Sequence, residues 1–219
     1  MKRKLLSNSK LPDNPDDAAK SQIRQANEVL ILDAAERVFA GAGFGGATMV
    51  AIADASGLPK ANLHYYFGSK QELYRAVLSR ILTDWLVPTL GIVPTADPKS
   101  AIDSYIRAKM ALSAQRPHAS KVFANELLHG APVVKFLLET ELRELVLSKA
   151  AVIDGWIASG RMAPVDSVYL FFTIWAATQT YADFDVQVCA VLGQPGLRPQ
   201  DHARATEHVV SLILRGCGL

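Results

Sequence analysis

Apolar residues in the first third of the chain recur every three or four positions, the spacing that gives an α-helix one buried face. The first such stripe consists of Ile23, Ala26, Leu30, Ala34, Val38 and Phe39. It predicts a first helix that ends in the glycine-rich segment 41–46. Thr48 then has the chemistry of an N-cap, and a short second helix is expected through Ala55, closed by Gly57.

Two more helices are predicted directly after this one. Pro59 suits the first turn of a third helix that reaches Phe67, because a first turn does not need the backbone N–H that proline lacks. Ser69 and Glu72 have the spacing of a capping box at the start of a fourth helix, which Pro88 ends.

The rest of the chain has the same helical period. Five further helices are predicted: Asp97–Gln115, Pro117–His129, Pro132–Ser159, Asp166–Leu192 and one that begins at Pro199. Val and Ile occur within these patterns and do not alternate with polar residues as in a half-buried strand. The pattern therefore predicts an all-α fold of about nine helices.

The segment from Thr48 to Lys70 predicts a helix-turn-helix, whose second helix can enter a DNA major groove about 12 Å wide. The polar residues expected on its outer side are Lys60, Asn62, His64, Tyr65 and Tyr66. Asn62 can pair with an adenine edge and Lys60 with guanine or phosphate, while the other three tips can reach phosphates or base edges. Thr48 and the amides of the helix it caps can hold a phosphate. A plain surface hairpin with scattered polar groups is the alternative.

This segment also resembles a known family. Residues 48–57, TMVAIADASG, and 58–73, LPKANLHYYFGSKQEL, are similar to the DNA-binding signature of the TetR family of transcriptional regulators. The resemblance implies DNA contacts at these positions: Lys60, Asn62, His64, Tyr65, Tyr66 and Lys70. It gives Lys70 the role of a phosphate clamp at the start of the fourth helix. His64 departs from the family pattern, which often has Tyr there.

The C-terminal part resembles the pyrimidine-utilisation regulators within that family. The similar segments are 129–132 (HGAP), 157–164 (IASGRMAP) and 171–188 (FFTIWAATQTYADFDVQV). The resemblance extends from about Gln22 to Gly216. It implies a uracil- or thymine-like effector, a homodimer built largely from the last two helices, and release of DNA when the effector binds.

A polar stripe on the predicted 166–192 helix suggests where an effector could bind. Trp175, Gln179, Asp183 and Gln187 recur every four residues on a helix that is otherwise mostly apolar. Trp175 could stack on a planar ring, and the Gln179 amide can both donate and accept. The alternative is that the stripe faces solvent or the dimer partner.

Composition indicates the cellular compartment and argues against disulfide, metal and catalytic sites. Cys189 and Cys217 are far apart, so neither a disulfide framework nor a metal site is expected. Residues 1–20 lack the apolar region of a signal peptide, and the 169–182 stretch is too polar for a membrane span, so a cytoplasmic protein is expected. The five histidines have no zinc-ligand spacing, and the GxGxxG at 41–46 follows a helix rather than a strand. We therefore expect no catalytic residue, no cofactor, no metal and no membrane partner.

Charge is distributed unevenly along the chain. The net charge is +2, with 11 Lys and Arg against 8 Asp and Glu in residues 1–80. Residues 1–20 are predicted to be a disordered tail. The alternative for the tail is a basic arm that touches DNA, formed by Lys2, Arg3, Lys4 and Lys10, although three aspartates at 13, 16 and 17 weaken it.

The expected organisation is a tail at 1–20, a three-helix helix-turn-helix domain at 21–68, and a helical effector-binding and dimerisation domain at 69–219, with the fourth helix at 69–87 as connector. The expected function is a TetR-type regulator, a repressor that binds a near-palindromic operator as a homodimer and responds to a small planar effector such as a pyrimidine base. The alternatives are an unrelated effector, an architectural DNA binder without ligand, and an all-helical enzyme.

Overall fold

The computed structural model describes the backbone of residues 15–219 and the side chains of residues 21–219. Over that range the chain is helical and contains no β-strand. The α-helices are α1 (Pro15–Gly46), α2 (Met49–Ser56), α3 (Lys60–Phe67), α4 (Lys70–Leu86), α5 (Pro98–Gln115), α6 (Pro117–Leu128), α7 (Lys135–Leu137), α8 (Arg143–Ala158), α9 (Ser167–Asp183), α10 (Asp185–Leu192) and α11 (Pro199–Gly216). A 3-10 turn at Val87–Gly91 follows α4.

The prediction of an all-α fold is confirmed. A π-helical turn, Leu138–Leu142, joins α7 to α8 in one continuous run, so the described residues form ten helices. The count exceeds the predicted nine because Phe184 leaves helical geometry (φ −118°, ψ 34°) and divides the predicted 166–192 helix into α9 and α10.

The predicted caps account for the helix starts around the helix-turn-helix. The Thr48 hydroxyl accepts a hydrogen bond from the Ala51 amide at 3.1 Å, and Gly57 ends α2 in the left-handed conformation (φ 71°). Ser69 caps α4 by accepting from the Glu72 amide at 3.2 Å. The other half of the predicted capping box is missing, because the Glu72 carboxylate pairs with Arg75 at 2.7 Å.

Helix α1 is longer than predicted at both ends. It begins at Pro15, so residues 15–20, which the sequence predicts to be part of the tail, are helical. Residues 1–14, with the basic residues of the proposed arm, lie outside the described part of the chain. At the other end α1 continues through the glycine-rich segment to Gly46, with one non-helical residue, Gly43 (φ 66°, ψ 174°).

The long helix predicted to start at Pro132 starts instead at Lys135. Gly130 and Ala131 both have positive φ, 85° and 57°, and form a turn after α6. The Glu126 carboxylate holds this turn by accepting from the amides of Val133 at 2.6 Å and Val134 at 3.2 Å. These two amides therefore have their partner before the helix begins.

Two clusters of buried residues organise the helices. The first joins α1–α4 to α6, with Phe39, Leu63, Leu78 and Phe123 among its members. The second is built from α5, α8, α9 and α11. Because α6 packs into the first cluster, the core around the helix-turn-helix extends well beyond residue 68. None of the helices between residues 15 and 219 is both long enough and apolar enough to cross a membrane.

Candidate functional site

Helices α2 and α3 present a compact helix-turn-helix at one end of the molecule. Ile52 of α2 and Leu63 of α3 are fully buried, and Leu58 and Phe67 pack against the same cluster. The apolar contacts are on the inner side, so the polar residues of α3 remain on the outer side. This is the arrangement that the spacing of the sequence predicts.

The structure brings the predicted DNA-binding residues together around α3. Thr48, Lys60, His64 and Tyr65 are exposed, while Asn62, Tyr66 and Lys70 are partly exposed. Tyr65 is 75% exposed, and its ring meets that of Tyr66 edge-on at 5.2 Å. No acidic residue occurs in α3, so nothing on this helix would repel a phosphate backbone.

Three of these side chains also make contacts that shape the motif. The Tyr66 hydroxyl accepts from the Asn27 amide group of α1 at 3.2 Å, which orients its ring. His64 Nδ1 lies 2.8 Å from the Gly68 carbonyl oxygen at the end of α3. Because a carbonyl only accepts, Nδ1 carries the proton in this contact, and Nε2 keeps its capacity for another partner. Thr48 Oγ1 serves as the α2 cap described above.

Lys70 has a structural role that the sequence did not indicate. Its ammonium donates to the carbonyl oxygens of Phe44 at 2.7 Å and Ala47 at 2.9 Å, and it lies 4.6 Å from the centre of the Phe44 ring. These contacts close the C-terminal end of α1 and attach it to the start of α4. A phosphate would thus meet an ammonium that already holds two carbonyls.

A groove beside α3 adds residues that we did not predict. Ser21, Ile23 and Arg24 of α1 line it together with Tyr65 and Tyr66, and its volume is about 480 Å³. Arg24 pairs with Glu28 at 3.0 Å on the same helix. The i,i+4 spacing of Arg24 and Glu28 was visible in the sequence, but nothing there placed the start of α1 against α3.

The second candidate site lies among the C-terminal helices, where α5, α6 and α9 meet. Trp175 of α9 is partly buried, and its indole N–H donates to the Tyr105 hydroxyl of α5 at 2.7 Å. Burial raises the pKa of Tyr105 to about 12, although this hydrogen bond opposes the shift. The ring of Phe172 meets Trp175 edge-on at 5.6 Å, so the indole lies in aromatic surroundings.

The predicted polar stripe is present only in part. Gln179 and Asp183 are partly buried on α9, and Asp183 Oδ1 is buried without a hydrogen-bond partner among the described residues. Burial raises the pKa of the Asp183 carboxyl. Gln187 is exposed on α10, so its prediction as part of one continuous stripe is wrong. The reason is the break at Phe184, which changes the helical register before residue 187.

Two buried polar residues of this region were missed. Lys109 of α5 is 3% exposed and Ser120 of α6 is 1% exposed. In the sequence, Lys109 follows Tyr105 by four residues and Ile106 by three, which places it on the same buried helix face. This spacing was the signal that could have predicted its burial. Ser120 offered none, because a small polar residue is common on any helix.

Sequence and fold comparisons agree on one family. Residues 31–77 match the family described as "Bacterial regulatory proteins, tetR family", and residues 78–219 match "YcdC-like protein, C-terminal region". The HTH-type transcriptional regulator RutR of Escherichia coli K12 is 42% identical over 198 residues, which are 90% of this chain and 93% of RutR. The chain belongs to the TetR family of bacterial regulatory proteins.

Solved structures of TetR-like regulators have the same fold. The ketosteroid transcriptional regulator KstR2 of Mycobacterium tuberculosis superposes with a TM-score of 0.68 at 19% identity, over 87% of this chain and 94% of that one. AibR, solved with isovaleryl coenzyme A and operator DNA, gives 0.64 at 15% identity, over 86% and 98%. At these identities the structures show the fold alone. The role of transcriptional regulator rests on the family match and on the 42% identity to RutR.

A network of ion pairs connects α1, α4 and the α5–α6 junction of this TetR-family protein. Glu36 of α1 is 6% exposed and accepts from Arg80 of α4 at 3.0 Å and from Arg116 at 2.5 Å. Arg116 lies between α5 and α6 and also pairs with Asp84 of α4. Arg80 reaches Asp33 of α1 at 2.8 Å. The network ties the helix-turn-helix end of the protein to the junction from which α6 departs.

Proposed function

We propose that this TetR-family regulator is a cytoplasmic repressor that binds operator DNA through α3 and releases it when a pyrimidine base binds among α5, α6 and α9. The observation that carries the proposal is the pairing of an exposed, acid-free α3 with a partly buried polar line on α9. The choice of a pyrimidine rests on the resemblance of segments 129–132, 157–164 and 171–188 to pyrimidine-utilisation regulators.

On the DNA side, α3 enters the major groove and positions two kinds of contact. Asn62 reads an adenine edge, and Lys60 contacts guanine or phosphate. His64, Tyr65 and Tyr66 reach phosphates or base edges at the sides of the groove.

The α2 amides capped by Thr48 and the ammonium of Lys70 contribute positive potential toward the backbone. A homodimer presents two copies of α3, so the operator is a near-palindrome.

On the effector side, the ring stacks against Trp175 and pairs with the Gln179 amide. A pyrimidine base has donor and acceptor groups on the edge of a flat ring, and one amide can satisfy one of each. Asp183 adds an acceptor one helical turn further along α9. Gln187 is not part of this site.

Effector binding is coupled to operator binding through the ion-pair network around Glu36. An effector that shifts α5 or α6 moves Arg116, which holds both α1 and α4. Because α1 packs against α2 and α4 packs against α3, that movement changes the spacing of the two recognition helices in the dimer. The dimer then has one arrangement that binds the operator and one that has released it. A ligand changes operator affinity only to the extent that its own affinities for these two arrangements differ.

The proposal is tested by titrating operator DNA with full-length protein at one stated salt concentration, because phosphate contacts make affinity salt-dependent. The panel contains uracil, thymine, cytosine, adenine and several amino acids. We expect uracil or thymine to weaken operator binding by at least about tenfold, a typical allosteric coupling. Equal operator affinity with every member would favour a constitutive DNA binder, and a response to amino acids alone would replace the pyrimidine.

A further inference from the structure

A buried lysine lies at the centre of the C-terminal helices. The Lys109 side chain is 3% exposed, its ammonium is 4.2 Å from the centre of the Trp85 ring, and it forms no salt bridge with a carboxylate of the residues whose side chains are described. Burial lowers the pKa of Lys109 to about 8, and the charge of Asp183 offsets part of that shift. An ammonium that is largely removed from water is costly unless it gains partners, because one aromatic face replaces only part of its hydration.

A carboxylate near this ammonium is also incompletely paired. Asp183 and Lys109 shift each other's pKa, yet no salt bridge joins them, in contrast to Lys121 and Asp185 nearby, whose atoms are 2.9 Å apart. Asp183 Oδ1 is buried and has no partner in the described structure. A purely structural ion pair would form the direct contact that other pairs in this protein form.

Ser120 completes the cluster from a third helix. Its hydroxyl lies beside the Asp183 carboxylate and lowers the pKa of that group, but the contact falls short of hydrogen-bond geometry. Ser120 Oγ is buried and, within the described residues, unpartnered. The cluster therefore offers a strong donor on α5, a hydroxyl on α6 and an acceptor on α9, each with hydrogen-bonding capacity left over.

The surroundings of this cluster suit a flat ring. The Trp85 ring that lies over Lys109 is itself met edge-on by Phe123 at 5.0 Å. Gln179 precedes Asp183 by one helical turn, which places the two side chains on the same side of α9. Aromatic walls with a few converging polar groups are typical of small-molecule sites.

We infer that Lys109, Ser120 and Asp183 are specificity-determining residues of the effector site and select a planar lactam, a ring with a carbonyl next to an N–H. The ring carbonyl accepts from Lys109 and Ser120, and the ring N–H donates to Asp183. A ligand with its own carboxylate is disfavoured, because it would place a second negative charge beside Asp183. This inference rests on the proposed function and assigns the polar contacts within it.

The experiment is calorimetry on the full-length protein with uracil, 1-methyluracil, 3-methyluracil and orotate, which is uracil with a carboxylate. For wild type we expect binding of uracil, at least about tenfold weaker binding of orotate, and the same loss for one of the two methylated bases. Lys109→Met should weaken uracil binding by about 10–100-fold, because the uracil carbonyl loses a hydrogen bond from a charged donor. Ser120→Ala should cause a smaller loss.

Asp183→Asn should remove the discrimination against orotate and against the methylated base, a change of selectivity that a general packing defect would not produce. Lys121→Met is the matched control, because this neighbouring lysine pairs with Asp185 and should leave uracil affinity unchanged. Thermal melting verifies that each variant is folded.

The possible failures are distinguishable. If wild type binds uracil but Lys109→Met and Asp183→Asn bind it with unchanged affinity and selectivity, the inference is overturned while the proposed function stands. If wild type binds none of the four bases and also ignores hydantoin, a different planar lactam, both are overturned. Binding of hydantoin alone, lost in Lys109→Met, would support the lactam site and replace the pyrimidine.

Discussion

Side chains on α3 and at the start of α4 divide into those that could read bases and those that hold the motif together. Asn62 makes no side-chain hydrogen bond inside the described structure, so its amide is available for an adenine edge. His64, Tyr66 and Lys70 each have an internal partner. Base selectivity should therefore depend on Asn62 more than on its neighbours.

Asn62→Ala should cost about 1–3 kcal/mol of operator binding and relax base preference at one position per half-site, because a bidentate amide contact is lost. Binding to a set of operators with single base changes measures this. Ala61→Ser on the same helix is the control. A loss that is equal for all operators would make Asn62 a phosphate contact.

Lys70→Met should lower stability as well as operator affinity. The variant loses two hydrogen bonds from a charged donor to the Phe44 and Ala47 carbonyls, worth about 1–3 kcal/mol together at this partly exposed position. Urea unfolding measures that loss, and the salt dependence of operator binding should fall by about one unit if the ammonium also contacts phosphate. Unchanged stability with a reduced salt slope would make Lys70 a phosphate clamp only.

Lys109 should leave a signature in the pH dependence of stability. Its pKa is about 8 in the folded protein, below the ordinary lysine value, so the unfolded chain binds more protons between about pH 8 and 10.5. Stability from this group therefore rises with pH across that window. The nearby charges are Asp183, Lys121 and Asp185, and they are present in both proteins compared.

The comparison is urea unfolding of wild type and Lys109→Met at several pH values. We expect the variant to have the larger free energy of unfolding at pH 7. The difference between the two proteins should shrink toward pH 10, because wild type loses its buried charge. An advantage that stays constant with pH would show that the ammonium is not penalised by burial.

At the scale of helices, the sequence predicts what local chemistry controls. Thr48, Gly57, Ser69 and Asp97 mark helix ends in the sequence, and the structure confirms all four. The break at Phe184 has no such mark, since residues 183–188 contain neither Gly nor Pro. The salt bridge from Asp185 to Lys121, which is 64 positions away, accompanies the break, and contacts at that separation leave no periodic pattern.

The same reason explains which residues of the two proposed sites the sequence predicts. The α3 residues lie within one short motif, so spacing and resemblance were enough. Lys109, Ser120 and Asp183 come from three helices and meet only after packing, so only the α9 member was predicted. Gln187 does not continue the stripe of α9, because a four-residue period has meaning only while a helix continues.

Arg116→Leu should weaken the coupling between effector and operator. The variant leaves Glu36 and Asp84 without one partner each, which should cost about 1–3 kcal/mol of stability, less than a fully buried pair because Arg116 is 25% exposed. The effector should still bind, but its binding should cause less change in α1 and α4 and should therefore weaken operator affinity less than in wild type. Calorimetry and operator titration together measure both.

Arg107→Leu is the matched control for Arg116, because Arg107 also forms ion pairs from α5 but toward Glu207 of α11. It should not change the ratio of operator affinities with and without effector. If Arg116→Leu leaves that ratio unchanged as well, the network around Glu36 serves stability only.

The whole molecule combines the exposed helix α3, the proposed effector site and the ion-pair network around Glu36. One packed core joins α1–α4 to α6, and a second joins α5 to α8, α9 and α11. A ligand among α5, α6 and α9 therefore touches both cores. The division into domains at residue 68 remains a prediction, since α6 contributes to the core around the helix-turn-helix.

The most direct test of the central claim is operator affinity measured with and without uracil for wild type and for Gln179→Leu. We predict that uracil weakens operator binding by wild type at least about tenfold, and that Gln179→Leu needs about 10–100-fold more uracil for the same release. Wild-type operator affinity that does not change with uracil would contradict the account, and equal uracil sensitivity of the two proteins would remove Gln179 from the effector site.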